Sequence, residues 1–193
     1  ETKVNSLVAE DAKFQFKLPS TVGVGARLRL TPSVRLAADM QMLINSENDN
    51  TSFTGKAVVG GTVVNEFKEG DLVNYANWDD GLMMRFGAEY MVSEGFFARA
   101  GYVYDTKSAN TQYPSAFGTP PGPTQSFTAG AEYAVTKGIS FAAAFAYRSG
   151  EGNVEKEQLP DPAKGEKVCA FCGKEGVYKI SMMGAYLDAV FKF

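Results

Sequence analysis

The sequence predicts an all-β chain, an antiparallel transmembrane β-barrel with about seven strands in these 193 residues. Three observations carry the expectation. Apolar side chains recur at every second position, the period of a strand with two unlike faces. Connections alternate between three-residue turns and long loops at 46–79, 106–124 and 149–176. Aromatic residues gather towards strand ends on the apolar stripe, as they do in the girdles of outer-membrane barrels.

The first strand is expected over about Phe14–Leu30, with Val22, Val24, Ala26, Leu28 and Leu30 opposing Thr21, Gly23, Gly25, Arg27 and Arg29. After the turn at Thr31-Pro32-Ser33, Val34, Leu36, Ala38, Met40, Met42 and Ile44 share one face, with Arg35, Asp39 and Gln41 on the other. Leu82 to Tyr90 and Phe96 to Tyr104 form the next pair around Ser93–Gly95. Phe127 to Val135 and Ile139 to Tyr147 pair around Thr136–Gly138, and Ala185 to Phe193 closes the series. Within the first long loop, Ala57–Val64 reads as a small hairpin turning at Gly60-Gly61.

Alternation alone does not decide which face is covered. In a soluble sandwich the apolar face packs inward; in a membrane barrel it meets lipid while the polar face lines the interior. Short turns at one end and long loops at the other favour the barrel, because compact soluble domains seldom carry several loops beyond ~15 residues. Tyr90, Phe96, Tyr133, Phe141, Phe191 and Phe193 lie near the short turns, and Tyr102, Tyr104, Phe127 and Tyr147 near the long loops, with Phe86 in mid-strand an exception. The terminal Phe193 on the apolar stripe fits the signal read by bacterial outer-membrane assembly machinery. Register supports the hairpins: a turn centred on Glu94 sets Glu89 opposite Arg99, and one centred on Lys137 sets Tyr133 opposite Phe141. A slip of one residue would carry charge into lipid.

Composition excludes several classes. Net charge is −3, so no basic excess exists for a nucleic-acid partner. The chain has no histidine, which removes Ser-His-Asp and Cys-His catalysis and imidazole-bound zinc; the histidine-dependent barrel enzymes go with them. Neither an enzyme activity nor a cofactor is expected. Cys169 and Cys172 have the spacing of half a zinc ribbon, but no other Cys or His completes four ligands. A local disulfide is favoured, with free thiols and a shared metal site as the alternatives.

Seven strands is an odd count for a bacterial barrel. Either an eighth strand lies in Lys3–Ala12, giving a small structural or adhesive barrel of eight strands, or the chain is part of a larger one.

Leu18-Pro19-Ser20-Thr21-Val22-Gly23-Val24-Gly25, then Asn77-Trp78-Asp79-Asp80 running into Arg85-Phe86-Gly87-Ala88-Glu89-Tyr90, begin a series that resembles the FadL/TodX family. Arg99-Ala100-Gly101-Tyr102-Val103-Tyr104-Asp105 and Thr128-Ala129-Gly130-Ala131-Glu132-Tyr133 continue it in the family's order. The chain departs from the pattern in lacking a tryptophan near Ile44–Ser46 and in carrying the cysteine pair. The resemblance implies the last seven strands of a fourteen-stranded barrel with an N-terminal plug. It also implies a bacterial outer-membrane transporter, porin-like in build, for long-chain fatty acids or other hydrophobic compounds. Its partners are then membrane lipid and a hydrophobic small-molecule ligand captured by extracellular loops. Arg27, Arg29, Arg35, Arg85, Arg99 and Arg148 project to the lumen by alternation and are candidates to meet a carboxylate. Glu89 and Arg99 are expected to form a lumen ion pair. Asp39, Asp105, Glu132 and Asp188 are further acids available to neutralise the arginines.

Overall fold

The computed structural model describes residues 7–15, 17–47, 50–106, 109–115, 120–169 and 172–191. It contains ten strands in two antiparallel sheets. In chain order they are β1 (Leu7–Gln15), β2 (Ser20–Thr31), β3 (Val34–Ile44), β4 (Asn50–Val59), β5 (Thr62–Tyr75), β6 (Gly81–Ser93), β7 (Phe96–Asp105), β8 (Thr124–Thr136), β9 (Ile139–Val154) and β10 (Gly176–Phe191). The larger sheet runs β10-β9-β8-β7-β6-β3-β2, so its seven strands are neighbours in chain order. These are the seven that the alternation marks. The smaller sheet, β1-β4-β5, belongs to the long-loop end.

Three expectations need correction. Phe14–Leu30 is not one strand: β1 ends at Gln15, and Pro19, which has no amide to donate to a ladder, precedes the new strand at Ser20. An N-terminal strand does exist, but it pairs with β4 through Leu7↔Val59 and Phe14↔Phe53, not with β10, so the eight-stranded closure does not form. The hairpin expected over Ala57–Val64 is present but longer, with β4–β5 running from Asn50 to Tyr75 and filling most of the first long loop. Its turn residues Gly60 and Gly61 have φ of 58° and 82°, the left-handed pair that a two-residue hairpin turn requires. Phe193 lies outside the described residues.

The large sheet has no covered core on its apolar face. Phe86 and Phe141 are each 51% exposed and Leu187 is 88% exposed. Among the described residues the buried apolar side chains are Val58, Ala109, Pro114, Pro120, Pro121 and Val154, all at the loop end. A soluble sandwich would bury the stripe; here it is left open for lipid.

The register shows how the stripe lies relative to the turns. The turn after β2 ends level with Val34, which pairs with Tyr90 and through it aligns with Ala98 and Ala131. The turn before β7 ends at Phe96, opposite Tyr133, two residues lower. The turn before β9 ends at Ile139, opposite Thr136, two residues lower again. The outward apolar runs Val34–Met42, Phe96–Tyr104 and Ile139–Tyr147 descend by the same steps, so band and turns stay level on inclined strands. Eight steps of about 3.4 Å at a tilt near 40° rise roughly 21 Å, close to the ~25 Å apolar band of outer-membrane barrels. Above Tyr147 the outward positions become Ser149 and Glu151, and alongside them Ser181 and Lys179, where water begins.

Candidate functional site

The polar face of the sheet is a grid whose rows the pairing defines. One row reads Arg29, Arg35, Glu89, Arg99, Gly130, Ala144, Tyr186. Glu89 is its hub. Arg35 Nη1 donates to Glu89 Oε1 at 2.8 Å, and Arg99 Nε donates to Oε2 at 2.8 Å. Arg99 Nη2 also donates to Glu132 Oε2 at 2.6 Å, so two carboxylates and two guanidiniums form one chain of ion pairs. Glu89 and Arg99 are directly opposite in register, as the turn at Glu94 requires.

A second row contains Gly25, Asp39, Arg85, Val103, Ser126, Arg148 and Met182. Arg85 Nη1 donates to Asp39 Oδ1 at 3.0 Å, and its Nη2 to Gln41 Oε1 at 2.6 Å. Arg148 Nη2 donates to Thr124 Oγ1 at 2.9 Å and lies 3.5 Å from Asp105 Oδ2. Gln41 and Thr124 were not singled out by composition or motif; their place beside an arginine follows only from the pairing.

Between these rows runs a third, almost without side chains: Arg27, Ala37, Gly87, Gly101, Thr128, Ala146, Gly184. Its Ala37, Gly87, Gly101 and Thr128 lie on the floor of a groove of about 440 Å³ edged by Arg27, Arg35, Glu89 and Arg99. Gly101 is held small by its neighbour, since a Cβ there would come 2.6 Å from Thr128 Oγ1. The six arginines therefore divide. Arg35, Arg85, Arg99 and Arg148 are engaged by carboxylates. Arg27 and Arg29, on the edge strand β2, have no carboxylate partner among the described residues, and Arg29 stands opposite Arg35. Asp188 has no cationic partner among them either.

The loop end is organised around a second cavity, of about 430 Å³, to which four connections at that end contribute. Phe14 comes from β1 and Lys17, Leu18 and Pro19 from the β1–β2 link, and Asn74, Tyr75 and Trp78 come from the end of β5 and its link to β6. Tyr113 comes from the β7–β8 loop and Cys172 from the β9–β10 loop. Cys169 and Cys172 are joined in a disulfide, with Cα atoms 5.3 Å apart. Cys172 makes a backbone bridge with Ser115, and the Gly173 amide donates to the Pro114 carbonyl at 2.6 Å, so the last loop is stitched to the middle one.

Asn77, at φ 45°, occupies the left-handed region that asparagine tolerates better than most residues. Its Nδ2 donates to Gln112 Oε1 at 3.2 Å, and its carbonyl accepts from Asn110 Nδ2. Asp80 accepts from the Ser46 amide at 2.9 Å, which holds its carboxyl below the usual aspartate range. Burial, with help from the neighbouring Tyr75 and Glu166, pushes the Tyr113 phenol up. Among the described residues no cluster of three or more metal-ligating side chains occurs.

Residues 2–174 match the family model described as outer membrane protein transport protein (OMPP1/FadL/TodX). The chain belongs to this family. Two solved structures are similar in fold to this chain. A monoaromatic hydrocarbon channel, CymD, is 18% identical with a TM-score of 0.58 over 94% of this chain and 38% of its own. A FadL homologue from Pseudomonas aeruginosa is 14% identical with a TM-score of 0.64 over 93% of this chain and 37% of its own. The chain thus spans less than two fifths of either structure. No curated protein matches it. The open seven-stranded sheet is accordingly part of a barrel wall of the outer-membrane type. Its lipid face is the apolar stripe and its lumen face the grid of ion pairs.

Proposed function

We propose that the whole protein admits hydrophobic compounds, long-chain fatty acids among them, passively across the bacterial outer membrane through the barrel lumen. The loops at 46–79, 106–124 and 149–176 face the exterior in this reading, and the closing strand is the one read by assembly machinery. The observation that carries it is the division of the lumen arginines beside a floor of small residues. Paired arginines keep the wet wall near neutral and leave an unobstructed path over Ala37, Gly87 and Gly101. An amphiphile needs a smooth surface for its tail and a cation for its head. Among the described residues, Arg27 and Arg29 are the lumen arginines available without displacing an internal carboxylate.

Uptake into vesicles carrying the whole protein tests this. Arg27→Gln with Arg29→Gln should lower uptake of dodecanoate several-fold and leave uptake of an uncharged alkane of equal length unchanged. Equal loss for both compounds, or for neither, would remove these arginines from the path.

A further inference from the structure

We propose that the outer surface of the wall, where β8, β9 and β10 approach the loops, is a docking site for a membrane lipid with an uncharged sugar headgroup. The site lies on the lipid side of the sheet, apart from whatever passes through the lumen. Strand pairing builds it in three tiers. The lowest, still in the apolar band, reads Tyr102, Phe127, Tyr147 and Met183. The next reads Tyr104, Gln125, Ser149 and Ser181, four neighbours that each carry a hydroxyl or an amide. Above it Glu151 stands opposite Lys179, whose Nζ lies 3.0 Å from Glu151 Oε2. The upper two tiers, with Tyr147 below them, line a groove of about 510 Å³. The shelf belongs to this sector because β9 runs on to Val154 and β10 starts at Gly176. Across the sheet the outward positions Val22, Met42 and Leu82 are still apolar as β2, β3 and β6 reach their loop ends.

The lining selects the headgroup. Among the described residues no protein group bonds the hydroxyls of Tyr104, Tyr147, Ser149 or Ser181, so each can both donate to and accept from a guest. Sugar hydroxyls have the same double capacity, and a row of such groups matches a ring that carries them. Glu151 and Lys179 neutralise one another, which leaves no spare cation for a phosphate; a zwitterionic head would first have to separate the pair. Tyr104 and Tyr147 each combine an apolar ring with a polar tip, as suits a guest greasy at one end and wet at the other. The groove's volume falls within the ~300–1,000 Å³ of ligand pockets. Its rim at Pro123 is set before binding. Pro121 and Gly122 are buried and pack against the backbone of Glu151 and Gly152, with no room for a Cβ on either glycine, which lowers the ordering cost. The occupant is a lipid and not a free sugar because the groove is continuous with the lipid face. Exposed Phe127, Met183 and Leu187 lie in the band below it, where acyl tails run.

Native mass spectrometry of the whole protein in a polyoxyethylene detergent counts bound lipids directly. The protein is titrated with glucosyl-dioleoylglycerol and, separately, with dioleoyl phosphatidylethanolamine, dioleoyl phosphatidylglycerol and free maltose. A single glucosyl lipid should bind saturably, with a half-saturating concentration at least about fivefold below that of either phospholipid, the worth of one net hydrogen bond. Ser149→Ala with Ser181→Ala should raise that concentration about tenfold. Ser20→Ala, at an exposed serine on β2 far from the groove, should leave it unchanged. Dodecanoate uptake into vesicles should be the same for the double variant as for wild type, since the site faces away from the lumen. Equal affinity for the three lipids, preference for a phospholipid, or binding that climbs without saturating would overturn the proposal on the wild-type protein alone. Maltose held as tightly as the glucosyl lipid would overturn the lipid assignment, and an equal loss in Ser20→Ala would overturn the location.

Discussion

Replacing Glu89 by glutamine removes the negative charge at the centre of the lumen's longest ion-pair chain. Its two oxygens each accept from a guanidinium at 2.8 Å, one from Arg35 and one from Arg99. After Glu89→Gln, Arg29, Arg35 and Arg99 occupy one row with Glu132 as the single carboxylate still bonded to any of them. An exposed ion pair is typically worth about 0.2–1 kcal/mol. The Glu89 side chain is only 21% exposed, while its partners are near 40%, so each pair belongs in the upper part of that range. Two such pairs, plus the released repulsion between Arg35 and Arg99, give a destabilisation of about 1–2 kcal/mol.

Urea unfolding of the whole protein from lipid vesicles at low salt measures it as a lowered midpoint at unchanged slope. Arg27→Gln, at a residue with no carboxylate partner, should stay within about 0.5 kcal/mol of wild type. Raising the salt to about 1 M, where screening acts over ~3 Å, should shrink the Glu89 effect. A Glu89→Gln protein within about 0.3 kcal/mol of wild type, or an Arg27→Gln protein equally damaged, would refute the account of the polar face as a self-neutralised wall.

Leu187 lies halfway between Phe191 and Met183 on the outward face, so Leu187→Arg places a cation near mid-bilayer and should cost about 2–4 kcal/mol by the same titration. Its lumen-facing neighbour substitution, Tyr186→Arg, should cost clearly less; the reverse order would turn the sheet inside out. Cys169→Ser with Cys172→Ser opens a ring of three-residue separation, for which the chain-entropy estimate is about 2 kcal/mol. Limited proteolysis should then cut the 155–175 region faster while the β9–β10 ladder stays protected. The Asp80–Ser46 contact carries a pH signature. Because the folded Asp80 carboxyl sits below its unfolded value, its anchoring is complete above the ordinary aspartate range and is lost as pH falls through the lower, folded value. Exchange protection of the Ser46 amide should drop over that interval, and Asp80→Asn, which keeps an oxygen acceptor, should abolish the pH dependence.

The wall of the barrel was legible in the sequence because its physics is local. A strand with one face in lipid and one in water must alternate, so the runs at Val34–Met42 and Ile139–Tyr147 name their own orientation, and Glu89 falls opposite Arg99 once the turn is placed. The loop end was not legible for the opposite reason. Phe14, Tyr75, Trp78, Tyr113 and Cys172 come from four connections with no shared period, and only the folded chain brings them together. The one available hint was Trp78, the chain's lone tryptophan, standing at the boundary between a loop and β6. Phe14 misled in the same way: its apolar neighbours continue the alternation of β2, yet Pro19 interrupts the ladder and hands the segment to β4. Which arginines keep a carboxylate also escapes sequence, because Asp39 and Gln41 reach Arg85 across a strand pair more than forty residues apart.

The six antiparallel pairings between β2 and β10 leave the two outermost strands pointing the same way, from loops to turns. A ring made by seating a second copy's β10 beside β2 would therefore have to form a parallel seam. Matching β2 with β2 would restore the antiparallel bond pattern only by a dyad lying in the membrane plane, which would send one copy's loops to each side of the bilayer. Closing this wall with antiparallel bonds at both seams therefore takes an odd number of further strands between β10 and β2.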